Sequence, residues 1–96
     1  MAGKDLDLSK LRVETRLALA GRDPARHDGA VNPAIHRATT LVIEDTGDLY
    51  NTSKKTYALE GMAVQEALKD ALLAIEGGAA VTLAPSGLGA CTLALM

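Results

Sequence analysis

The sequence predicts an α/β fold in which a helix, a strand, a tight turn and a second helix follow one another in the last third of the chain. The first helix is indicated by an amphipathic pattern after Met62, and the strand by the apolar run 79–83. The second helix is indicated by the start signal Pro85-Ser86-Gly87. This order is typical of α/β proteins, in which the carboxyl end of a strand and the amino end of the next helix form a ligand site.

The first half of the chain predicts one helix followed by a long extended arm. Asp7 or Ser9 can cap a helix that runs to about Ala20, where Gly21 supplies the stop signal. The apolar positions that we expect this helix to bury are Leu11, Leu17 and Ala18. Residues 22–40 contain repeated Pro and Gly turn signals and no sustained period, so they predict an extended loop. Residues 39–43 predict a short strand, and residues 44–55 are turn-like.

The second half begins with the clearest element in the chain. An amphipathic helix is predicted from apolar residues at helical spacing, namely Val64, Leu68, Ala71, Leu72 and Ile75, and Gly77-Gly78 ends it. The last helix, from about Leu88, is apolar on every side and therefore needs cover all round. We expect the chain to be the front part of a larger domain, cut inside this helix.

Composition excludes several classes of function. The 96 residues carry a formal net charge of −2 and contain no basic stripe, so we expect no nucleic-acid partner. Cys91 is the sole cysteine, which excludes an internal disulfide and a cysteine-rich zinc site, and we expect it to be a buried packing residue. His27 and His36 are nine apart with no further ligand at metal spacing, so no metal site is predicted.

Localisation is predicted from two stretches. Residues 1–10 are polar and lack the apolar core of a signal peptide, which favours the cytoplasm. Residues 77–96 carry no charge over the length that a membrane-spanning helix needs. They are interrupted by six helix-breaking or polar residues, which are Gly77, Gly78, Pro85, Ser86, Gly87 and Gly89. A buried strand, turn and helix therefore explain this stretch better than a membrane span.

The turn Ser86-Gly87-Leu88-Gly89 can serve as a phosphate cradle. The first N–H groups of a helix have no partners inside it, the helix dipole places positive potential there, and glycine lets an anion approach the backbone. The alternative is purely structural: Ser86 caps the helix and the glycines allow tight packing. The residues alone leave both interpretations open.

Five motifs, in their order and spacing, resemble the N-terminal part of the Cys/Met-metabolism family of pyridoxal-phosphate enzymes. They are Ala20-Gly21-Arg22-Asp23-Pro24, Gly29-Ala30-Val31-Asn32-Pro33, Arg37-Ala38-Thr39-Thr40-Leu41-Val42, Leu73-Ala74-Ile75-Glu76-Gly77-Gly78 and Pro85-Ser86-Gly87-Leu88. The resemblance runs from about Val13 to Met96 and is greatest to the bacterial cystathionine β-lyases. It implies an N-terminal fragment of a fold-type-I, aspartate aminotransferase-like transferase that uses pyridoxal 5'-phosphate. Residues 1–61 would then be the N-terminal helix and interface arm, and residues 62–96 the start of the cofactor-binding α/β domain.

The resemblance also implies a cofactor site. Backbone N–H groups of Gly87 and Leu88 would donate to the cofactor phosphate, with Ser86 shaping the turn. Tyr57 matches the tyrosine of a Tyr-x-Arg motif that reaches the phosphate in the neighbouring subunit. The arginine of that motif does not match, because its position is Leu59, and Lys54 and Lys55 nearby are not assigned to replace it.

The implied activity is that of a carbon–sulfur lyase that converts cystathionine to homocysteine, pyruvate and ammonia in methionine biosynthesis, as a dimer or tetramer. The alternatives are a related cystathionine γ-synthase or O-acylhomoserine sulfhydrylase, or a non-catalytic phosphate-binding or interaction module. The family's cofactor-bonding lysine, aspartate and stacking ring lie further along than residue 96. No catalytic residue is therefore assigned in this chain, which we expect to be inactive alone.

Overall fold

A computed structural model describes residues 6–96, and these residues form three α-helices joined by loops and short 3-10 helices. The α-helices are α1 (Val13–Leu19), α2 (Ala63–Glu76) and α3 (Gly87–Leu95). The 3-10 helices lie at Leu8–Lys10, Pro24–Arg26, Thr46–Tyr50 and Ala58–Glu60.

Helix α1 is shorter than the sequence predicts. Asp7 does cap a helix, but it is the 3-10 helix that follows, where a carboxylate oxygen of Asp7 accepts the Ser9 N–H at 3.0 Å. Helix α1 ends as predicted, with Gly21 in the left-handed region at φ +75°. The predicted burial of Leu17 and Ala18 is wrong for residues 6–96: Leu17 is 58% exposed, because no described segment covers this face.

The predicted amphipathic helix is confirmed as α2. It begins after Met62, whose N–H donates to the side-chain oxygen of Gln65 at 2.8 Å, and it ends at Gly77, which has φ +68°. Ala67 on this helix is buried, whereas the neighbouring Leu68 is exposed. The apolar face of α2 is therefore only partly covered by the described residues.

The packing of α1 against α2 organises the described residues. Gly21 approaches α2 so closely that a Cβ atom on it would lie 2.6 Å from the carbonyl oxygen of Ala67. One guanidinium nitrogen of Arg16 donates to the carbonyl oxygen of Ala74 at 3.0 Å. An ion pair of 3.1 Å between Arg26 and Asp70 joins the 3-10 helix Pro24–Arg26 to the same helix, α2. Glycine at position 21 thus ends α1 and also allows the close contact.

The two predicted strands are not formed. In the stretch 39–43 only Thr40 pairs, through one antiparallel bridge to Tyr57, beside which the Ala58 N–H donates to the Thr39 carbonyl at 3.2 Å. Residues 79–83 pair with nothing in the described part of the chain. A strand needs a neighbouring strand for its backbone hydrogen bonds, and residues 6–96 offer none there. The helix–strand–helix layout of the predicted α/β fold is therefore not confirmed.

Helix α3 is confirmed in position, since it begins at Gly87, next to the predicted start at about Leu88, and the cover that it was expected to need is not provided by residues 6–96. It carries no charged residue, and Leu88 near its start is 80% exposed. Among residues 6–96, no helix combines the length and the apolar content that crossing a bilayer requires. Cys91 on α3 is exposed, so the expectation of a buried cysteine is wrong for the described residues.

The molecule is open for its size. Its accessible surface is 7953 Å², whereas a folded monomer of 10.0 kDa exposes about 5,200 Å². Its radius of gyration is 15.7 Å, against about 12.5 Å for a globular domain of this length. Within the described residues, the buried apolar side chains are only Ala58 and Ala67. Many large apolar side chains of the described residues are therefore in contact with water.

Candidate phosphate-binding site

The turn into α3 is built around Ser86. This residue has an extended backbone, and its hydroxyl oxygen accepts the Gly89 N–H at 3.0 Å. Its carbonyl oxygen accepts the Ala90 N–H, also at 3.0 Å. The cap that the structural interpretation of this turn expects at Ser86 is thereby confirmed, whereas its tight packing is not found at Gly87, where a Cβ atom would meet no atom within 4 Å.

The cap leaves two donors unused. Neither the Gly87 N–H nor the Leu88 N–H has an acceptor within residues 6–96. Both groups belong to the first turn of a nine-residue helix, where the helix dipole favours negative charge. They are the same two N–H groups that the family resemblance assigns to the cofactor phosphate.

The two glycines of the turn have different surroundings. A Cβ atom on Gly87 would meet no atom within 4 Å, whereas a Cβ atom on Gly89 would lie 3.1 Å from the Ser86 hydroxyl oxygen. Gly89 therefore makes room for the cap, and Gly87 leaves the space beside the free N–H groups open. Two unpaired donors, positive dipole potential and open space fit a phosphate group; its binding here stays a prediction.

Tyr57 lies in the arm, immediately before the 3-10 helix Ala58–Glu60. Its side chain is 45% exposed, and its backbone pairs with Thr40. A cleft of about 260 Å³ brings residues 58–61 next to residues 81–83, but neither Tyr57 nor the turn at Ser86 lines it. The structure thus does not join Tyr57 and the turn within one pocket of this chain.

Comparison with known proteins gives three related sequences. The chain is 33% identical over 90 residues to a putative cystathionine beta-lyase of Saccharomyces cerevisiae, which covers 94% of this chain. It is 36% identical over 94 residues to a putative cystathionine beta-lyase of Rhizobium johnstonii, covering 97% of this chain. It is 28% identical over 94 residues to the cystathionine beta-lyase of Haemophilus influenzae, covering 92% of this chain. The chain resembles cystathionine β-lyases along nearly its whole length.

The resemblance predicted from the five motifs is thus confirmed. The chain spans only about a quarter of the length of these relatives, 26% of the yeast protein and 24% of each bacterial one. No protein-family model matches the chain, and no solved structure is significantly similar to it.

The resemblance implies a Tyr-x-Arg motif, and its arginine has no counterpart in this chain. Leu59, which stands in its place, is 78% exposed. Neither neighbouring lysine is free to substitute, because Lys54 Nζ lies 2.7 Å from an Asp48 carboxylate oxygen and Lys55 Nζ lies 2.9 Å from Glu66 Oε1. The two lysines next to Tyr57 in the sequence therefore provide no free cation in place of that arginine within residues 6–96.

Lys55, Glu66 and Lys69 form a charged cluster, here called the Glu66 cluster, that was not predicted from the sequence. Lys69 Nζ also lies 3.2 Å from Glu66 Oε1, and the hydrogen bond from Lys55, followed by that from Lys69, lowers the pKa of the Glu66 carboxyl. Gly61 is buried beside this cluster, where a Cβ atom would lie 3.3 Å from Lys55 Nζ. The spacing of Glu66 and Lys69 at i, i+3 was the available signal; the partner in the arm, Lys55, is visible only in the fold. The Glu66 cluster therefore links the segment around Tyr57, through Lys55, to the first turn of α2.

Proposed function

We propose that this chain is the phosphate-binding part of a pyridoxal-phosphate-dependent carbon–sulfur lyase that converts cystathionine to homocysteine, pyruvate and ammonia. The observation that carries the proposal is the pair of unpaired N–H groups at the start of α3, on Gly87 and Leu88. Similarity to cystathionine β-lyases over more than nine-tenths of the chain supports it.

The chain's own residues would bind and orient the cofactor. The N–H groups of Gly87 and Leu88 would donate to two phosphate oxygens, while the Ser86 hydroxyl, which already accepts the Gly89 N–H, would keep the turn in place. When bound, pyridoxal phosphate supplies an electron sink for the α-carbon of an amino-acid substrate. The fixed donors act without reorganisation, because the capped helix holds them in position before the anion arrives.

Residues 1–61 would form the N-terminal helix and interface arm of a homo-oligomer, and residues 62–96 the start of the cofactor-binding α/β domain. Tyr57 would then reach the phosphate of a neighbouring subunit. Its half-exposed side chain and the Lys55–Glu66 ion pair at the base of the arm support this role. The unusually large accessible surface of the chain, 7953 Å², also favours a protein that functions with further polypeptide covering it.

A second candidate is a non-catalytic phosphate-binding module. Leu59 favours it, because the family's arginine contact to the phosphate is absent and leucine cannot replace a guanidinium. This candidate predicts phosphate binding at α3 without any turnover of cystathionine.

Cofactor binding is tested by titrating the chain with pyridoxal phosphate and with pyridoxal, which lacks the phosphate. The phosphorylated compound should bind more tightly. Gly87→Pro should weaken that binding about tenfold or more, since proline removes one N–H yet is tolerated at the first position of a helix. Gly87→Ala, which keeps the N–H and meets no atom within 4 Å, should weaken it less. Equal affinity of the chain for pyridoxal phosphate and for pyridoxal would exclude phosphate binding at this turn.

The reaction is tested on a polypeptide of the relatives' length that contains this chain. Reconstituted with cofactor, it should release pyruvate from cystathionine. Use of sulfide with an acylated homoserine, without pyruvate, would instead identify a sulfhydrylase or γ-synthase. Phosphate binding with neither reaction would favour the non-catalytic module.

A further inference from the structure

Residues 55–58, here called the Tyr57 segment, combine a held backbone with an exposed aromatic ring. The backbone of Tyr57 pairs with Thr40 in an antiparallel bridge, and the Ala58 N–H donates to the Thr39 carbonyl at 3.2 Å. Ala58 is buried, whereas Tyr57 is 45% exposed. The fold therefore fixes the chain at this point without burying the tyrosine ring.

Lys55 ties the Tyr57 segment to α2. Its Nζ atom lies 2.9 Å from Glu66 Oε1, and Glu66 stands in the first turn of that helix. Gly61 leaves room for this ion pair, since a Cβ atom on it would lie 3.3 Å from Lys55 Nζ and 3.4 Å from Glu66 Oε1. The ion pair therefore connects the chain two positions before Tyr57 to a regular helix.

The carboxylate that receives Lys55 is itself held in place. Lys69 Nζ, about one helical turn further along α2, lies 3.2 Å from the same oxygen of Glu66. A fully exposed ion pair contributes little, but the side chains of Lys55, Glu66 and Lys69 are only 36%, 32% and 27% exposed. Because Lys69 already restricts Glu66, less side-chain entropy is lost when Lys55 binds to it.

The neighbouring Lys54 carries the same charge but has a different partner. Its Nζ atom lies 2.7 Å from an Asp48 carboxylate oxygen, and Asp48 belongs to the arm, as Lys54 does. That ion pair closes the arm on itself and makes no tie to α2. Of these two adjacent lysines, Lys55 is therefore the one that connects the Tyr57 segment with the helix.

We propose that Lys55 is a positioning residue for Tyr57: through Glu66 it fixes the segment from which the tyrosine ring reaches the cofactor phosphate. The phosphate contact in this inference rests on the proposed function, whereas the fixing of Tyr57 by Lys55 concerns this chain alone. Lys55 would act through Tyr57 and not on the phosphate, because Glu66 engages its ammonium group. A tyrosine that is held in place before the anion arrives loses less conformational entropy on binding it.

Time-resolved tyrosine fluorescence of the 96-residue chain measures how freely Tyr57 moves. The chain contains no Trp and only two tyrosines, so Tyr50→Phe, at a residue that is 86% exposed, leaves Tyr57 as the single emitter. In that background Lys55→Met should raise the amplitude of nanosecond depolarisation about twofold, because it removes the charge that ties the segment down. Lys55→Arg, which keeps the charge, should leave the amplitude low. Lys54→Met is the matched control and should not change it.

Retention of pyridoxal phosphate tests whether Lys55 acts through Tyr57, in a polypeptide of the relatives' length that contains this chain. Lys55→Met should weaken retention about threefold when Tyr57 is present and less than about twofold in a Tyr57→Phe background. The reason is that a positioning residue has no effect once the group that it positions has been removed. A merely structural role for Lys55 would weaken retention equally in both backgrounds.

Three results would overturn the proposal. They are unchanged motion of Tyr57 in Lys55→Met, equal changes of motion in Lys55→Met and Lys54→Met, and equal weakening of cofactor retention with and without the Tyr57 hydroxyl. Failure of the proposed function gives a different result, because the longer polypeptide would then bind no pyridoxal phosphate at all. The fluorescence of the Lys55 variants would still decide whether Lys55 positions Tyr57.

Discussion

A guanidinium nitrogen of Arg16 lies 3.0 Å from the carbonyl oxygen of Ala74, which is 58 positions further along the chain. The contact ties α1 to the last turn of α2. It uses a carbonyl near the helix end, where backbone acceptors lack intrahelical partners and attract positive charge. The fold of the described residues therefore depends on a hydrogen bond from a cation as well as on apolar contact.

Replacing Arg16 by Ala should lower the free energy of unfolding by about 1.5–3 kcal/mol, the usual contribution of a hydrogen bond to a charged group. Urea titration followed by circular dichroism at helical wavelengths measures this change. Arg12→Ala is the matched control, since Arg12 is exposed and its one ion pair, to a Glu14 carboxylate oxygen, is long at 3.6 Å. This substitution should lower the free energy of unfolding by about 0–1 kcal/mol. Equal losses from the two variants would contradict a specific role for Arg16.

Replacing Gly21 by Ala should destabilise the packing of α1 on α2. The new Cβ atom would lie 2.6 Å from the Ala67 carbonyl oxygen, and Gly21 has φ +75°. Gly77→Ala is the control, because Gly77 has a similar φ of +68° but open space around its Cβ position. Gly77→Ala should cost about 1 kcal/mol from backbone strain alone, and Gly21→Ala clearly more. Thermal unfolding measures the loss of stability in both variants, and the difference between the two losses is the steric contribution at Gly21.

The Glu66 cluster should make stability depend on pH in the acid range. The pKa of Glu66 is lowered from 4.5 by hydrogen bonds from Lys55 and Lys69, so the folded state favours the charged carboxylate. The resulting stabilisation is present above about pH 4.5 and is lost as the pH falls through the lowered pKa. Glu66→Gln should reduce this acid-side loss of stability. Glu76→Gln, which changes an exposed carboxyl at the other end of α2, should leave the pH profile as it is.

Substitutions of Ser86 should separate helix capping from anion binding. Ser86→Ala should destabilise α3 by about 1 kcal/mol through loss of the bond to the Gly89 N–H. Ser86→Asn and Ser86→Asp should both keep the cap, since either side chain is a good helix start. Only Asp adds negative charge beside the Gly87 and Leu88 N–H groups, so it alone should weaken pyridoxal-phosphate binding about tenfold or more. Similar binding by the Asn and Asp variants would argue against a phosphate at this turn.

Leu59→Arg should strengthen cofactor retention in a polypeptide of the relatives' length. The substitution restores the cation of the Tyr-x-Arg motif at a position that is 78% exposed, so the longer side chain can be accommodated. A charge-assisted contact to phosphate corresponds to about tenfold or more in affinity. Leu59→Gln, similar in length but neutral, should give no such gain. Release of pyridoxal phosphate during dialysis measures the difference.

Local signals in the sequence predicted the helices well. The apolar spacing on α2 and the stop at Gly77 are properties of neighbouring residues, and both are found as predicted. Ser86 also caps α3 as its residue type and position indicate. The resemblance of the chain to cystathionine β-lyases was likewise predicted from motif order.

Features that depend on distant partners were not predicted. Residues 39–43 have the composition of a strand, but a ladder requires a second strand, and only Thr40 finds a partner. Leu17 has the right residue type for a core, but burial depends on what lies opposite, and nothing in residues 6–96 covers it. The close contact of Gly21 with Ala67 joins residues 46 positions apart, which no local pattern reveals. The phosphate turn at Ser86 was indicated by local residue types as one of two open interpretations, whereas Tyr57 entered the candidate site only through the family resemblance.

The unpaired segment 79–83 has a consequence for the behaviour of the chain in solution. Its sequence, Ala-Ala-Val-Thr-Leu, is uncharged and contains β-branched residues, and its backbone makes no hydrogen bond to the rest of residues 6–96. Such a segment is a template for β-pairing between separate molecules. At high concentration, copies of the chain in which this segment is exposed should therefore self-associate into β-rich aggregates. Dilution, or early binding of further polypeptide over the segment, should reduce this aggregation.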